Sequence, residues 1–250
     1  MSDLHIGQGR GVPPPVDGID AVLVAGDTCE GLVKAIDALR SAFPAPIEVV
    51  MVAGNHEYYG SVFTTELAAG RTRAREVGVH LLENGVVRLG HLRVLGATYW
   101  TDYMLFGPTL RAPAMRAAGS QMRDHKRIQW SRDPWRRFRP EEALALHDES
   151  KRFFEAELAK PHCGPTMLLA HHGMTFEAVD PALERSLVAA AYTSDPSFVD
   201  QFGPDYVVTG HTHRRMDFRR GRTRFISNPR GYPDESLGFD PAFVLEVPDA

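Results

Sequence analysis

Short apolar runs alternate along the chain with longer stretches in which apolar residues recur every three or four positions. Glycine, asparagine or proline bounds most of the runs, which is typical of buried strands that end in turns. We predict strands at residues 20–26, 46–54, 79–82, 86–89, 92–98, 166–170, 205–209, 216–219, 223–227 and 243–247, and helices at residues 29–43, 61–77 and 141–158. Strands and helices in alternation favour an α/β sandwich over an all-helical bundle.

One segment differs from the rest of the chain in charge. Residues 111–139 hold nine basic side chains against two acidic ones, a net charge of +7, whereas the whole chain carries −4 and the remainder therefore −11. No internal repeat or low-complexity linker divides the sequence. We interpret residues 103–140 as an insertion, a basic helical cap over one end of a single domain that spans residues 1–250.

The basic segment, with Trp130 and Trp135, has two interpretations. Its arginines and aromatic rings could contact a phosphorylated substrate or a nucleic-acid backbone. Alternatively, it is a solvated arginine-rich cap that forms surface ion pairs, which we favour. A single basic stretch on an acidic chain makes nucleic acid the less favoured partner.

Composition narrows the class of protein further. The chain has 250 residues, 43% of them hydrophobic, as expected for a globular domain rather than a disordered one. Two cysteines cannot build a disulfide framework, and no apolar run approaches the roughly 18 residues of a membrane helix. The first residues lack the features of a signal peptide. We therefore expect a cytoplasmic protein that does not bind membranes.

Candidate ligands for a metal ion fall into five clusters, four of which follow a predicted buried strand. The clusters are Asp3-Leu4-His5, Gly26-Asp27, Gly54-Asn55-His56-Glu57, His171-His172 and Gly210-His211-Thr212-His213. In α/β sheets, ligands gather at the carboxyl ends of strands, so these loops are expected to converge. Each Asp-x-His or His-x-His pair has two side chains that point the same way in extended backbone.

Carboxylates, an amide oxygen and imidazoles suit divalent manganese, iron, zinc or cobalt. Two such ions about 3.5–4 Å apart need a bridging anion, for which Asp27 is the natural candidate. Taken singly, each cluster has a simpler explanation: Gly26-Asp27 as a turn, and residues 54–57 as the start of a helix with its capping residues. Their joint occurrence in this order favours the metal site.

The series D-x-H, G-D, G-N-H-E, H-H and G-H-T-H resembles the calcineurin-like metallophosphoesterases, from residue 2 to about residue 232. The resemblance implies a four-layer αββα sandwich with a dinuclear metal site between two sheets. Residues 54–60, 96–102 and 228–232 are similar to a bacterial subgroup of uncharacterised phosphoesterases. Tyr99, Trp100 and Arg230 could border the site, and a packing role is the alternative for the two aromatic residues.

Position by position, the resemblance implies a role for each candidate residue. Asp3, His5 and His213 would hold one metal ion, Asn55, His171 and His211 the second, and Asp27 would bridge them. His171 is preferred over His172 because the family's ligand histidine lies two positions before Gly or Pro. His56 would protonate the leaving group or stabilise the transition state, and a metal-bound hydroxide would be the nucleophile. Of the possible ions, manganese is favoured.

The chain departs from the family pattern at two places. Glu30 stands where the family's Gly-Asp-x-x-Asp motif has its second aspartate, and we expect little effect because that position is not a ligand. Members of the family also have an apolar strand directly before Asp-x-His, and here only Met1 and Ser2 precede Asp3. We expect a misassigned or truncated start, with Asp3 and His5 poorly anchored because the neighbouring strand lacks a partner.

The resulting hypothesis is a metal-dependent phosphoesterase acting on a small phosphomonoester or phosphodiester, such as a nucleotide. One alternative is a non-catalytic interaction protein that retains the fold, and another is a nuclease. The full set of ligand residues, together with His56, speaks for catalysis. The physiological substrate and the oligomeric state do not follow from the sequence.

Overall fold

The computed structural model describes residues 1–7, 10–194 and 197–248. The strands are β1 Ala21–Ala25, β2 Glu48–Val52, β3 Val79–Leu81, β4 Gly85–Leu89, β5 Leu92–Ala97, β6 Gln129–Arg132, β7 Trp135–Arg137, β8 Thr166–Ala170, β9 Tyr206–Val208, β10 Met216–Arg220 and β11 Thr223–Ser227. The helices are α1 Leu32–Ala42, α2 Phe63–Val77, α3 Arg111–Gln121, α4 Asp124–Arg127, α5 Pro140–Leu158 and α6 Ser197–Phe202. Within these ranges, no helix is both long enough and apolar enough to cross a membrane.

Two sheets form the centre of the fold. The smaller sheet is parallel and has the order β1-β2-β3. The larger sheet has the order β10-β11-β9-β8-β5-β4, in which the four inner strands are parallel and each edge strand is antiparallel to its neighbour. Parallel inner strands place several carboxyl ends at one edge of the sheet, where loops can share a site.

Side chains of β2 alternate between two hydrophobic cores. Val49 and Met51 pack with α1 in one core, whereas Val50 and Val52 pack against the larger sheet in another. Because successive side chains of a strand point to opposite faces, this pattern places the smaller sheet between a helical layer and the second sheet.

The larger sheet is buried on both faces in the same way. Met167 and Leu169 of β8 face the smaller sheet, and Leu168 faces a third core that contains Phe154 of α5 and Phe198 of α6. Three cores separate four layers in the order helix, sheet, sheet, helix. The predicted αββα sandwich is therefore confirmed.

The predicted cap contains strands as well as helices. The segment 103–140 holds α3, the single-turn α4, and an antiparallel hairpin formed by β6 and β7. Four of the nine basic positions lie in or beside the hairpin, where no helical periodicity exists, so the expectation of a helical cap was wrong for this part of the segment. The segment's division from the rest of the domain remains a prediction.

The strand predicted at residues 243–247 is absent from the described chain. Its apolar side chains, Phe243, Leu245 and Val247, still pack against the core between the two sheets. A strand needs a neighbouring backbone to pair with, and no described strand pairs with this segment. The apolar pattern therefore indicated a partly buried face, whereas Val244 is exposed and the segment pairs with no described strand.

The first residues are held by hydrogen bonds on two sides. The amides of Asp3 and His5 donate to the carbonyls of Gly26 and Asp27, at 3.0 and 3.1 Å. On the other side, the amide of Gly231 donates to the Asp3 carbonyl at 3.0 Å. The expectation that Asp3 and His5 would be poorly anchored was therefore wrong, because the loop after β11 supplies the second row of partners.

Candidate metal centre

The loops that follow four parallel strands meet at one edge of the two sheets. Asp27 lies two positions beyond β1, Asn55 three positions beyond β2, His171 directly after β8, and His211 three positions beyond β9. Each of these four side chains is buried. The predicted convergence at the carboxyl ends of strands is therefore observed.

The convergent side chains form three overlapping groups of candidate ligand atoms, each within 4.8 Å of one another: His5, Asp27 and His56 form one, and two further groups hold the other candidates. In the first of these two, His5 Nε2 lies 3.1 Å from His213 Nε2, and His213 Nε2 lies 3.6 Å from Asp3 Oδ1. In the second, which also includes Asp27, His171 Nε2 lies 3.1 Å from His211 Nδ1. These two groups match the two ligand sets that the family resemblance implies.

Asn55 completes the second group. Its side-chain oxygen Oδ1 lies 2.9 Å from His171 Nε2. His172 faces elsewhere: its Nδ1 lies 3.3 Å from the Thr98 carbonyl, and its ring packs 4.2 Å from the His211 ring. The structure thus brings His171, and not His172, to the atoms of the second group, and the choice of His171 as a ligand remains a prediction.

Asp27 lies between the two groups. Its Oδ1 is 3.4 Å from His171 Nε2, while its Oδ2 is 4.0 Å from His5 Nε2 and 3.8 Å from His56 Nε2. One carboxylate oxygen therefore faces each group, as a bridging ligand requires.

The distances between ring nitrogens show whether these residues could bind the same metal ion. Two nitrogen ligands about 2.1 Å from one ion lie roughly 3.0–3.4 Å apart. The His5–His213 and His171–His211 pairs, each at 3.1 Å, meet this condition. The buried Asp3 Oδ2 also has no hydrogen-bond partner among the described residues. The donor set therefore fits divalent cations.

Asp27 and two of the imidazoles have pKa values that favour cation binding, whereas the pKa of His171 is raised, because burial lowers it less than Asp27 and Asp3 raise it. Burial raises the pKa of Asp27, but His171, His56 and His5 outweigh that effect and hold its pKa at about 2. Burial lowers the pKa of His5 to about 4 and that of His211 well below its usual range. At pH 7 the carboxylate is thus charged, and these two imidazoles are neutral with a free lone pair.

The backbone at the site adopts a conformation that is uncommon outside glycine. Positive φ angles of 50°, 40°, 55°, 66° and 51° occur at five of the predicted ligands, namely Asp3, His5, Asp27, His211 and His213. Such angles cost free energy and persist where the surrounding structure enforces them, often at functional sites.

Glycines allow the loops to approach closely. A Cβ atom added to Gly54 would lie 2.1 Å from Asp27 Oδ1 and 2.8 Å from His171 Cε1. A Cβ atom added to Gly26 would lie 2.5 Å from His171 Nδ1. The glycines that precede the ligand residues therefore make room for the ligands of neighbouring loops.

Glu57 ties the loops together, a role that the sequence did not reveal. Its fully buried carboxylate accepts hydrogen bonds from the amides of Asp27, Thr28 and Gly54, at 3.0, 2.6 and 2.7 Å. Burial and the neighbouring charge of Asp27 raise its pKa to about 7. The only sequence signal was its position directly after His56 in the Gly-Asn-His-Glu motif.

His56 lies beside the two groups and is within reach of a tyrosine. Its amide donates to Asp27 Oδ1 at 2.9 Å, and its Nε2 lies 3.2 Å from the hydroxyl of Tyr232. The Tyr232 ring stacks on His5 with a centroid distance of 4.3 Å. Sequence reasoning did not single out Tyr232, whose only signal was its place in the Asn-Pro-Arg-Gly-Tyr segment.

A cavity of about 380 Å³ opens at the metal-binding groups and is lined by Asp27, Asn55, His56, His211 and His213. Its outer wall combines aromatic and apolar side chains with one cation and two acids, namely Tyr59, Tyr192, Tyr232, Met122, Val179, Leu183, Ala189, Arg123, Asp180 and Glu235. Tyr99 and Trp100 are buried in the core, and neither they nor Arg230 line the cavity.

The basic segment contributes to the site at one end and to a separate surface at the other. Arg127 donates two hydrogen bonds to the carboxylate of Glu30, at 2.6 and 3.0 Å. Glu30, which replaces the second aspartate of the family motif, therefore has a bidentate partner. A second cavity, of about 340 Å³, lies among Trp135, Arg136 and Arg137, and it shares no lining residue with the first.

A family model for calcineurin-like phosphoesterases matches residues 2–215. The chain therefore belongs to the calcineurin-like phosphoesterase family, and it is a phosphoric ester hydrolase of a family that typically depends on divalent metal ions. No curated protein sequence matches the chain significantly.

A solved structure with a TM-score above 0.5 supports the fold. The phosphopantetheinyl hydrolase from Mycobacterium tuberculosis superposes with a TM-score of 0.69 at 21% identity, covering 93% of this chain and 88% of that one. A Staphylococcus aureus protein provisionally described as a 5′-nucleotidase matches with a TM-score of 0.45 at 15% identity, covering 84% of this chain and 39% of that one.

Proposed function

We propose that this protein hydrolyses a small phosphomonoester or phosphodiester with a dinuclear metal centre. The observation that carries the proposal is the pair of ligand groups on either side of the Asp27 carboxylate. In the proposed centre, Asp3, His5 and His213 would hold one ion, Asn55, His171 and His211 would hold the other, and Asp27 would serve both. Two divalent ions so placed would supply an activated water and neutralise charge on the phosphoryl oxygens.

Among the possible ions we favour manganese, because mixed imidazole, carboxylate and amide ligands suit borderline-hard divalent cations. Neither cysteine takes part: Cys163 is exposed, and Cys29 donates to the Gly31 carbonyl. A cytoplasmic location remains part of the proposal, since both thiols are free.

His56 is the proposed general acid. It lines the cavity and lies within 4.8 Å of candidate ligand atoms of His5 and Asp27, without belonging to either proposed ligand set, so a leaving group bound there would be within its reach. The Tyr232 hydroxyl at 3.2 Å from Nε2 can orient the ring or share its proton.

The cavity suits a small substrate with a single anionic group outside the metal centre. Arg123 is the one Lys or Arg among the residues that line the described cavity, whose outer wall also holds the carboxylates of Asp180 and Glu235. The apolar and aromatic wall favours a neutral, partly apolar leaving group. A polyphosphate would leave several charges without a partner there.

The test is hydrolysis of p-nitrophenyl phosphate and bis-p-nitrophenyl phosphate with added manganese. We expect turnover by the wild type and a loss of at least 100-fold in kcat for Asn55→Ala and His56→Ala. His80→Ala, which removes an exposed histidine on β3, is the matched control and should retain wild-type rates. Wild-type rates in Asn55→Ala and His56→Ala, or no turnover by the wild type, would overturn the proposal.

Arg123→Gln separates substrate binding from chemistry. We expect KM to rise about tenfold with little change in kcat, because the guanidinium contacts a part of the substrate away from the reacting bond. Phosphopantetheinyl esters belong in the substrate panel, since the similar Mycobacterium tuberculosis protein is named for their hydrolysis.

A further inference from the structure

The chain around α4 is hydrogen-bonded to the loop that follows Asn55 and His56. The Gly60 amide donates to the Arg127 carbonyl at 2.9 Å, and the Gln129 amide donates to the Ser61 carbonyl at 3.0 Å. Arg127 also lies over the Tyr59 ring, 4.6 Å from its centroid. The first residue of α4 is therefore fixed against the back of the candidate metal centre.

That first residue is Asp124, whose side chain is buried with 3% of its surface exposed. Its Oδ1 accepts a hydrogen bond from Asn55 Nδ2 at 2.7 Å and another from the Tyr59 hydroxyl at 2.7 Å. Asn55 Nδ2 also donates to the Tyr59 oxygen, at 3.0 Å. The three side chains form a closed triangle of hydrogen bonds.

This triangle determines which way the Asn55 amide points. The carboxylate accepts hydrogen bonds and cannot donate any, so it binds the NH₂ side of the amide and repels the carbonyl side. With Nδ2 held by Asp124, Asn55 Oδ1 faces His171 Nε2 at 2.9 Å. A rotated amide would place its oxygen against a buried carboxylate and its NH₂ group among the metal-binding atoms.

We infer that Asp124 is a positioning residue for the metal centre, which holds Asn55 Oδ1 toward the second ion. The inference rests on the proposed function, in which Asn55 is a ligand. It gives part of the 103–140 segment a direct role in metal binding, because Asp124 supplies a partner to a ligand from a loop 69 positions earlier. Outer-shell partners of this kind typically change metal affinity by about 10–100-fold.

The experiment is a manganese titration by isothermal calorimetry of the wild type, Asp124→Ala, Asp124→Asn and Tyr59→Phe. We expect two manganese ions in the wild type, a 10–100-fold weaker second ion in Asp124→Ala, and smaller losses in the two conservative variants. The matched control is Asp133→Asn, which changes the exposed acid of the same basic segment and should leave both affinities unchanged.

A double-mutant cycle distinguishes positioning from a general structural effect. If Asp124 acts through Asn55, Asn55→Ala combined with Asp124→Ala should bind manganese no more weakly than Asn55→Ala alone. The free energy of unfolding, measured with a chelator present, shows separately whether each variant retains the stability of the fold. If Asp124→Ala does not fold, Asp124→Asn and Tyr59→Phe still test the inference.

Three outcomes would overturn the inference. If Asp124→Ala binds both ions with wild-type affinity, the inference fails while the proposed function stands. Additive losses in the double variant would have the same consequence. A wild-type protein that binds no manganese would overturn the proposed function, and this inference with it. The manganese content of the wild type therefore tells the two failures apart.

Discussion

Gly54 illustrates how little space separates the candidate ligands. Its missing side chain leaves room for Asp27 Oδ1, which would lie 2.1 Å from a Cβ atom. We predict that Gly54→Ala displaces the Asp27 carboxylate and lowers manganese affinity at least tenfold, measured by calorimetric titration. Gly11→Ala is the control, because a Cβ atom there has nothing within 4 Å. Unchanged affinity in Gly54→Ala would contradict this description of the site.

Glu57 is expected to stabilise the metal-free protein. Glu57→Ala would leave the buried amides of Asp27, Thr28 and Gly54 without their acceptor. A buried donor without a partner costs roughly 1–3 kcal/mol, so we predict a loss of about 3 kcal/mol in the free energy of unfolding. Urea denaturation with a chelator present measures it. Glu76→Ala, which breaks an exposed ion pair with Arg73, should cost under about 1 kcal/mol.

At the residue scale, the sequence predicted the candidate ligands because they occur in short motifs typical of a metal site. It did not predict the side chains whose roles depend on contacts between distant parts of the chain. The candidate ligands occur in short motifs directly after apolar runs. Glu57 shares a motif with them, but its bonds reach amides about 30 positions away. Tyr232 and Asp124 contact His56 and Asn55 across 176 and 69 positions, which no local pattern specifies.

Helices α1 and α2 pack closely at a single glycine. A Cβ atom on Gly70 would lie 2.3 Å from Cδ2 of the fully buried Leu32. Alanine favours a helix over glycine by about 1 kcal/mol, but overpacking a core costs about 1–3 kcal/mol. We therefore predict that Gly70→Ala lowers the free energy of unfolding by about 1 kcal/mol, measured by urea denaturation.

The control for this prediction lies in α3. A Cβ atom on Gly119 would make only an ordinary contact, 3.4 Å from Pro140 Cγ. Gly119→Ala should therefore stabilise the protein, by up to about 1 kcal/mol. Stabilisation by Gly70→Ala as well would show that the helix packing is looser than described.

Helix α5 carries a buried histidine that makes stability depend on pH. His147 is 1% exposed, and burial lowers its pKa from the usual 6.5. Lys151 lowers the pKa further, whereas Asp102 and Asp148 raise it without cancelling the effect of burial. The unfolded chain therefore binds a proton below pH 6.5 that the folded protein does not bind. Stability must fall as the pH drops below 6.5, by up to about 1.4 kcal/mol per pH unit for one group.

Urea denaturation between pH 8 and pH 5.5 measures this slope. His147→Asn keeps a donor for the Tyr99 carbonyl, which lies 3.1 Å from His147 Nδ1, and removes the titrating ring. We expect a shallower decline for this variant than for the wild type. An identical decline in His147→Asn and the wild type would contradict the assignment to His147.

At the element scale, the apolar runs that precede the candidate ligands predicted strands correctly, whereas the run at residues 243–247 did not. The strands that precede the ligands were predicted because their runs are buried on both faces. Residues 243–247 have the same composition, yet strand formation depends on a partner backbone rather than on hydrophobicity. In the 103–140 segment, Ala-rich and Arg-rich stretches gave no period from which α3 or the β6–β7 hairpin could be assigned.

For the molecule as a whole, the account depends on two ions held between the two sheets. The ligand loops come from both sheets, β1 and β2 on one side and β8 and β9 on the other. Ions at their junction would cross-link the halves of the sandwich and favour the folded state by mass action. We predict that manganese raises the midpoint of thermal unfolding of chelator-treated wild type by several degrees, and that Asn55→Ala responds less.

The most direct test of the central claim is anomalous diffraction from crystals grown with manganese. The account predicts two peaks about 3.5–4 Å apart. One should lie among Asp3, His5 and His213, the other among Asn55, His171 and His211, with the Asp27 carboxylate between them. A single peak, or peaks away from these side chains, would contradict the dinuclear centre.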